Sequence, residues 1–151
     1  MTLDAKLRWK EHVKKKREKL GLKYKKMYWL LGRRSQLSIH NKLLLYQQTL
    51  KPIWTYDIQL LGCAKPSNVQ CIQTFQNRVL RNIVAALWYS RNCDIHRDLQ
   101  VNTVADEIKK FARKHDRLSQ HVNVEAAQLL DNRELVRRLK RTKPFELASK
   151  E

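Results

Sequence analysis

The sequence predicts an all-α fold, on three observations. Glycine and proline number 3 each, against about 10 and about 8 for average usage at this length, too few for the turns of a β-sandwich or barrel. Apolar residues recur at three- and four-residue spacing along successive segments, which is the period of one helix face. They make up 42% of the 151 residues, enough for a single domain with a core of its own. Collagenous, linker-like and wholly disordered classes are excluded by the same composition.

Five helical segments are expected. The first runs from about Lys10 to Leu31, with Val13, Leu20, Tyr24, Met27 and Leu31 on one stripe and Gly32 as its stop. Ser38 is placed to cap the second, which extends to about Leu61. Its main stripe is Leu43, Tyr46, Leu50, Ile53 and Trp54, and Leu44, Leu45, Tyr56, Ile58, Leu60 and Leu61 cover its other sides. A helix apolar nearly all round is a buried one, so this segment is expected at the centre of the core. Pro52 removes an N–H and its ring meets the carbonyl of Gln48, so a kink or break is expected there. Asp57 falls on the apolar stripe and must find a donor or reach water.

The third helix is expected from Asn68 to Leu87, with Ile72, Phe75, Val79 and Ile83 facing inward. Residues 88–100 have poor periodicity and read as an ordered connection with a short turn. Thr103 with Asp106 three residues on forms a capping-box-like start for the fourth helix. Its stripe is Val104, Ile108, Phe111, His115, Leu118 and Val122, and His115 reads as a core or boundary imidazole. A short fifth helix spans about Glu125 to Leu130, and a flexible tail is expected from about residue 142.

The charge is strongly basic and uneven. Lys and Arg number 32 against 14 Asp and Glu, a net of +18. Residues 1–34 alone hold 13 basic and 3 acidic residues, net +10. This exceeds the net charge of about 2–8 that solubility needs and points to a polyanion, nucleic acid ahead of a membrane surface. The candidate backbone contacts are Lys14, Lys15, Lys16, Lys19, Lys23, Lys25, Lys26, Arg33 and Arg34. Phosphate contacts of this kind position a duplex without reading its sequence. Trp9, Tyr24, Tyr28 and Trp29 interleave with these cations, but none is assigned as a base reader.

Sites for chemistry are not visible. Cys63, Cys71 and Cys93 are odd in number, which fits a reducing compartment, nucleus or cytoplasm. Their spacing, with His96, is not that of a zinc site. His96-Arg97-Asp98-Leu99 matches the start of a kinase catalytic loop by chance, since no glycine-rich loop precedes it. No phosphate-binding loop, nucleophile elbow, zinc-helix motif or adjacent Asp pair occurs. No apolar run is long enough for a membrane span.

Four strings, taken in order, carry a family resemblance: Tyr28-Trp29-Leu30-Leu31-Gly32, Leu50-Lys51-Pro52-Ile53-Trp54-Thr55-Tyr56, Ile72-Gln73-Thr74-Phe75-Gln76-Asn77 and Trp88-Tyr89-Ser90-Arg91-Asn92. Together the chain resembles, from Thr2 to about Phe145, the C-terminal part of a jockey-type non-LTR retrotransposon reverse transcriptase. The resemblance implies that Met1 to Asp4 end the last palm strand, that residues 1–87 are a helical polymerase thumb and that residues 88–151 are a C-terminal extension packed on it. It implies a grip on RNA or an RNA–DNA duplex, an upstream palm as partner, and Mg for the full polymerase but no cofactor here. The family's catalytic aspartates lie upstream, so the chain is expected to be a non-catalytic C-terminal fragment, as in a truncated copy of an element.

Three positions depart from the family pattern: Asp57 replaces a usual Gly, Leu61 a Trp, and Leu87 a Pro. Uncompensated, a charge on a core helix or a lost aromatic costs about 1–3 kcal/mol each. The rival expectations are a helical protein–protein module with a basic arm, and a non-functional product of a truncated element.

Overall fold

The structure, a computed structural model, describes residues 9–119, with side chains through Lys114. All regular elements among them are helical, as the sequence predicts. The expected palm-strand end, the fifth helix, the tail and the side chains of His115, Leu118 and Val122 lie outside the described residues.

Helix α1 spans Lys10–Leu31, the predicted range. Val13, Leu20, Tyr24 and Leu31 are buried on its one apolar stripe, and Met27 packs beside them. The helix ends as the Gly32 N–H bonds the Tyr28 carbonyl at 2.7 Å. Any side chain at Gly32 would place a Cβ 2.6 Å from that oxygen, which explains the glycine without a left-handed backbone.

The second predicted helix is real but divided. Helix α2 (Ile39–Leu45) starts where the Ser38 hydroxyl accepts the Asn41 N–H at 3.3 Å. A π-helical turn follows over Tyr46–Leu50, and α3 covers Lys51–Thr55. The α-helical pattern is thus interrupted just ahead of Pro52, by a π turn after which a new α-helix begins with the proline in its first turn. The wider turn, closed by the Lys51 N–H on the Tyr46 carbonyl, absorbs the ring that an α-helical turn would drive into the Gln48 carbonyl. The break comes at Asp57 (φ −109°, ψ 36°), after which α4 runs Ile58–Gly62.

Helix α5 (Pro66–Ile83) is the centre of the core, a place the sequence assigned to the preceding segment. It buries Ile72, Phe75, Gln76, Val79, Leu80 and Ile83, and α1, α2 and α4 pack against it, as do two later helices. The earlier segment, apolar nearly all round, buries one side only: Tyr46, Leu50, Trp54, Ile58 and Leu61 are inside while Ile39, Leu44 and Tyr56 are exposed. Helix α5 stops short of Leu87 because Ala85 takes a left-handed turn at φ 50°.

The stretch read as a connection contains helix α6 (Asn92–Asp98). Thr103 then opens α7 (Val104–Ser119) as predicted. Its hydroxyl accepts the Asp106 N–H at 3.2 Å and donates to the Asp106 carboxylate at 2.6 Å. Ile95, Val101, Val104 and Ile108 join the same apolar cluster as α1 and α5.

Candidate nucleic-acid interface

With one stripe of α1 in the core, the opposite face of the helix is turned to solvent. Lys14, Lys15, Lys19, Lys23, Lys25 and Lys26 are all exposed. Lys15, Leu22 and Trp29 recur every seven residues, so they form one line along the outward face. Leu22 is 61% and Trp29 73% exposed, so this surface is cationic with an apolar ridge. Glu11 and Glu18 share it. Arg33 and Arg34, both exposed, continue the basic character past the end of the helix. Tyr28 is half exposed and stands edge-on to the buried Tyr24 at 5.7 Å.

Lys16 is placed differently from its neighbours. Its ammonium meets the Asp57 carboxylate at 2.5 Å and the Ile53 carbonyl at 3.3 Å, and it lies 5.5 Å from the centre of the Tyr56 ring. His12 Nε2 reaches the same Asp57 oxygen at 3.1 Å. The charge on the core stripe is therefore compensated. Partial burial pushes the Asp57 carboxyl up, but the bonds and charges of Lys16 and His12 outweigh it and hold the group below its ordinary value. Arg17, one residue on, packs its guanidinium over the Phe75 ring at 4.5 Å.

Arg33 also makes a structural bond, donating from Nη2 to the Ala86 carbonyl at 3.0 Å. This ties the end of α1 to the turn that follows α5.

A second basic surface went unassigned in the sequence reading. Lys109, Lys110, Arg113 and Lys114 are exposed on α7. Thr55, Ile58, Glu107, Lys110, Phe111, Arg113 and Lys114 line an open groove of about 580 Å³ between this helix and the α3–α4 region. Its signal was the pairing of basic residues at four-residue spacing, 109 with 113 and 110 with 114, masked by the acidic residues of the same helix. Partial burial of Glu107 raises its carboxyl, and the bonds from Lys51 (2.7 Å) and Asn102 (3.0 Å) bring it below its ordinary value.

His96, considered above with Cys93 as a metal ligand, is buried and engaged otherwise. Its Nδ1 meets the Val101 carbonyl at 2.7 Å and its Nε2 the Asn77 carboxamide oxygen at 2.9 Å. Among the described residues no group of three or more His, Cys, Asp and Glu side chains could hold a metal ion, and no helix is long and apolar enough to cross a membrane.

A basic helix with its apolar stripe in a helical core defines a class, a small cationic all-α domain. Comparison with known proteins gives the family. The chain is 44% identical over 149 residues to the probable RNA-directed DNA polymerase from transposon X-element of Drosophila melanogaster, covering 98% of this chain and 16% of that protein. It is 37% identical over 142 residues to the probable RNA-directed DNA polymerase from transposon BS of the same species, covering 93% and 16%. It is 36% identical over 156 residues to the RNA-directed DNA polymerase from mobile element jockey, also of that species, covering 97% and 17%. No family model and no solved structure matches. The chain is thus homologous to a segment of the RNA-directed DNA polymerases of jockey-type and related non-LTR transposons, as the four strings imply. It spans about one-sixth of the length of those relatives.

Proposed function

We propose that this region grips nucleic acid for a retrotransposon reverse transcriptase, with residues 1–87 as thumb and residues 88–151 as an extension. The observation that carries the reading is the exposure of six lysines on α1 while its opposite stripe is locked in the core. A helix that anchors itself on one side and leaves cations on the other offers charge to a backbone without needing to unfold or reorient. From Lys14 to Lys26 it covers about 18 Å of axis at 1.5 Å per residue. A duplex presents about ten phosphates over that distance, so the number of lysines, not the length, limits the contact. Lys14, Lys15, Lys19, Lys25 and Lys26, with Arg33 and Arg34 beyond them, are the proposed contacts. Lys23 lies nearer the flank, and Lys16 is committed to Asp57. RNA or an RNA–DNA duplex is the substrate class, and catalysis, with its Mg, belongs to the palm of the whole polymerase.

The test is a titration of an RNA–DNA hybrid at several salt concentrations. With about seven phosphates neutralised, one by each of the proposed contacts, log K falls against log salt with a slope of about −6. A flat response sinks the reading. The exposed ridge of Leu22 and Trp29 favours a second reading, a docking helix for a protein partner. That reading predicts hybrid affinity indifferent to the lysines and a partner lost on Trp29→Ala.

A further inference from the structure

The turn between α5 and α6 holds two aromatic rings in open solvent. Trp88 is 90% and Tyr89 65% exposed, and the rings stand edge to face with centroids 5.7 Å apart. The backbone beneath them is held in place. Arg81 donates from Nη2 to the carbonyls of Leu87 at 2.5 Å and Trp88 at 3.3 Å, and from Nη1 to the Ser90 carbonyl at 2.7 Å and the Asn92 carboxamide at 3.3 Å. Arg33 holds the Ala86 carbonyl from the α1 side, and Ala85 adopts a left-handed conformation that few non-glycine residues accept. Two arginines thus fix a turn whose rings make no use of the core. Arg33, Arg81, Ala86, Leu87, Trp88 and Asn92 line an open cleft of about 640 Å³ beside it.

The geometry points to a site for an unpaired nucleotide, its base stacked on Trp88 and its phosphate held by Arg33. A guanidinium has five N–H donors, and Arg33 commits one of them to Ala86, so charge and donors remain at the cleft. An indole face with a guanidinium beside it is the combination that holds single-stranded nucleic acid, because every base has a face to stack and every nucleotide a phosphate. A duplex covers its base faces, so the occupant is an unpaired strand or overhang. A wholly apolar peptide fits poorly, since it would strip water from Arg33 and Asn92 without replacing their bonds. The site deepens the proposed grip: it rests on nucleic acid as substrate and assigns a position for an unpaired strand next to the basic helix, through Arg33.

The experiment measures binding of the full 151-residue chain to three probes: a blunt RNA–DNA hybrid, the same hybrid with a five-nucleotide uridine overhang, and the uridine strand alone. The overhang tightens binding by about tenfold. Trp88→Ala removes that gain and leaves the blunt-hybrid affinity unchanged, and Trp88→Phe keeps most of it. Trp88 lies outside the core, so the alanine variant retains the fold, checked by its melting temperature. An overhang with no effect, or a Trp88→Ala loss that is equal on blunt and overhung probes, overturns the site. Self-association of the wild type that Trp88→Ala abolishes also overturns it and assigns the turn to a second copy of the chain. Failure of the blunt hybrid to bind, with the single strand still held through Trp88, refutes the grip of α1 and leaves this site standing.

Discussion

Asp57 sits where a core stripe requires an apolar residue, and two side chains answer it. Lys16 and His12 reach it from α1, so a carboxylate that reads as a defect joins two helices. Its pKa lies below the ordinary value of about 4. The sign follows from linkage: a carboxylate depressed in the folded state adds stability that is complete above its unfolded pKa and disappears as pH falls through the folded one. Glu107, held by Lys51 and Asn102, behaves the same way. Asp57→Asn is therefore expected to lower stability by about 1 kcal/mol at pH 7, the upper end for a partly exposed pair. That corresponds to about 3 °C in melting temperature. Thermal melts at steps from pH 7 to pH 2 check it: the gap between wild type and variant closes from about pH 5 downward. A gap that persists at pH 2 means that Asp57 acts by packing and not by charge.

The apolar spacing of α1 was legible residue by residue, and the structure buries Val13, Leu20, Tyr24 and Leu31 where the period puts them. What did not show was which polar residues would be buried. Lys42, Gln76 and His96 are inside, because each finds partners distant in sequence: Gln76 donates to the Asn102 carbonyl at 2.9 Å, and His96 bridges Asn77 and Val101. No local pattern encodes such partners. The same holds for the candidate site. Nine cations could be named from the charge run, but that Lys16 turns inward depends on Asp57, far along the chain. Trp88 and Tyr89 carried the family resemblance, yet their exposure depends on how Arg81 and Arg33 hold the turn.

At the scale of elements, the junction of α1 with α2 depends on one buried cation. Helix C-termini leave carbonyls without partners, and the negative end of the helix dipole attracts positive charge. Lys42, only 4% exposed, sends its ammonium to the carbonyls of Gly32 at 3.0 Å and Ser35 at 3.2 Å. It caps the corner from the next helix. Lys42→Met keeps the aliphatic stem and removes the donors, and is expected to cost about 2 kcal/mol. Lys14→Met, on the outward face of α1, is expected to stay within about 0.5 kcal/mol. Urea unfolding of the two variants side by side checks the contrast, and equal midpoints would refute the capping role. Lengths of elements were less legible than their faces. Pro52 suggested an interruption, which takes the form of a π turn just before it, and α6 was missed because seven residues give too little periodicity to recognise.

For the molecule as a whole, the question is whether the net charge of +18 acts as a uniform coat or through one surface. Two surfaces compete, the outward face of α1 and the basic face of α7. A coat predicts that reversing any three cations weakens hybrid binding alike. A dedicated grip on α1 predicts a difference, because at 0.15 M salt charges beyond a Debye length of about 8 Å are largely screened. The α1 reversal should use Lys14, Lys15 and Lys19. Lys16→Glu would set a second carboxylate against Asp57 and confuse binding with stability. The matching reversal on α7 takes Lys110, Arg113 and Lys114. Each triple changes the net charge equally, so general attraction is held constant between them. Under the α1 grip, the first triple removes about three phosphate contacts and flattens the salt slope by about 2.7, while the second lowers affinity only slightly and keeps the slope. Equal flattening by both triples would establish the coat and discard α1 as the interface. Flattening by the α7 triple alone would move the interface to the groove beside Phe111.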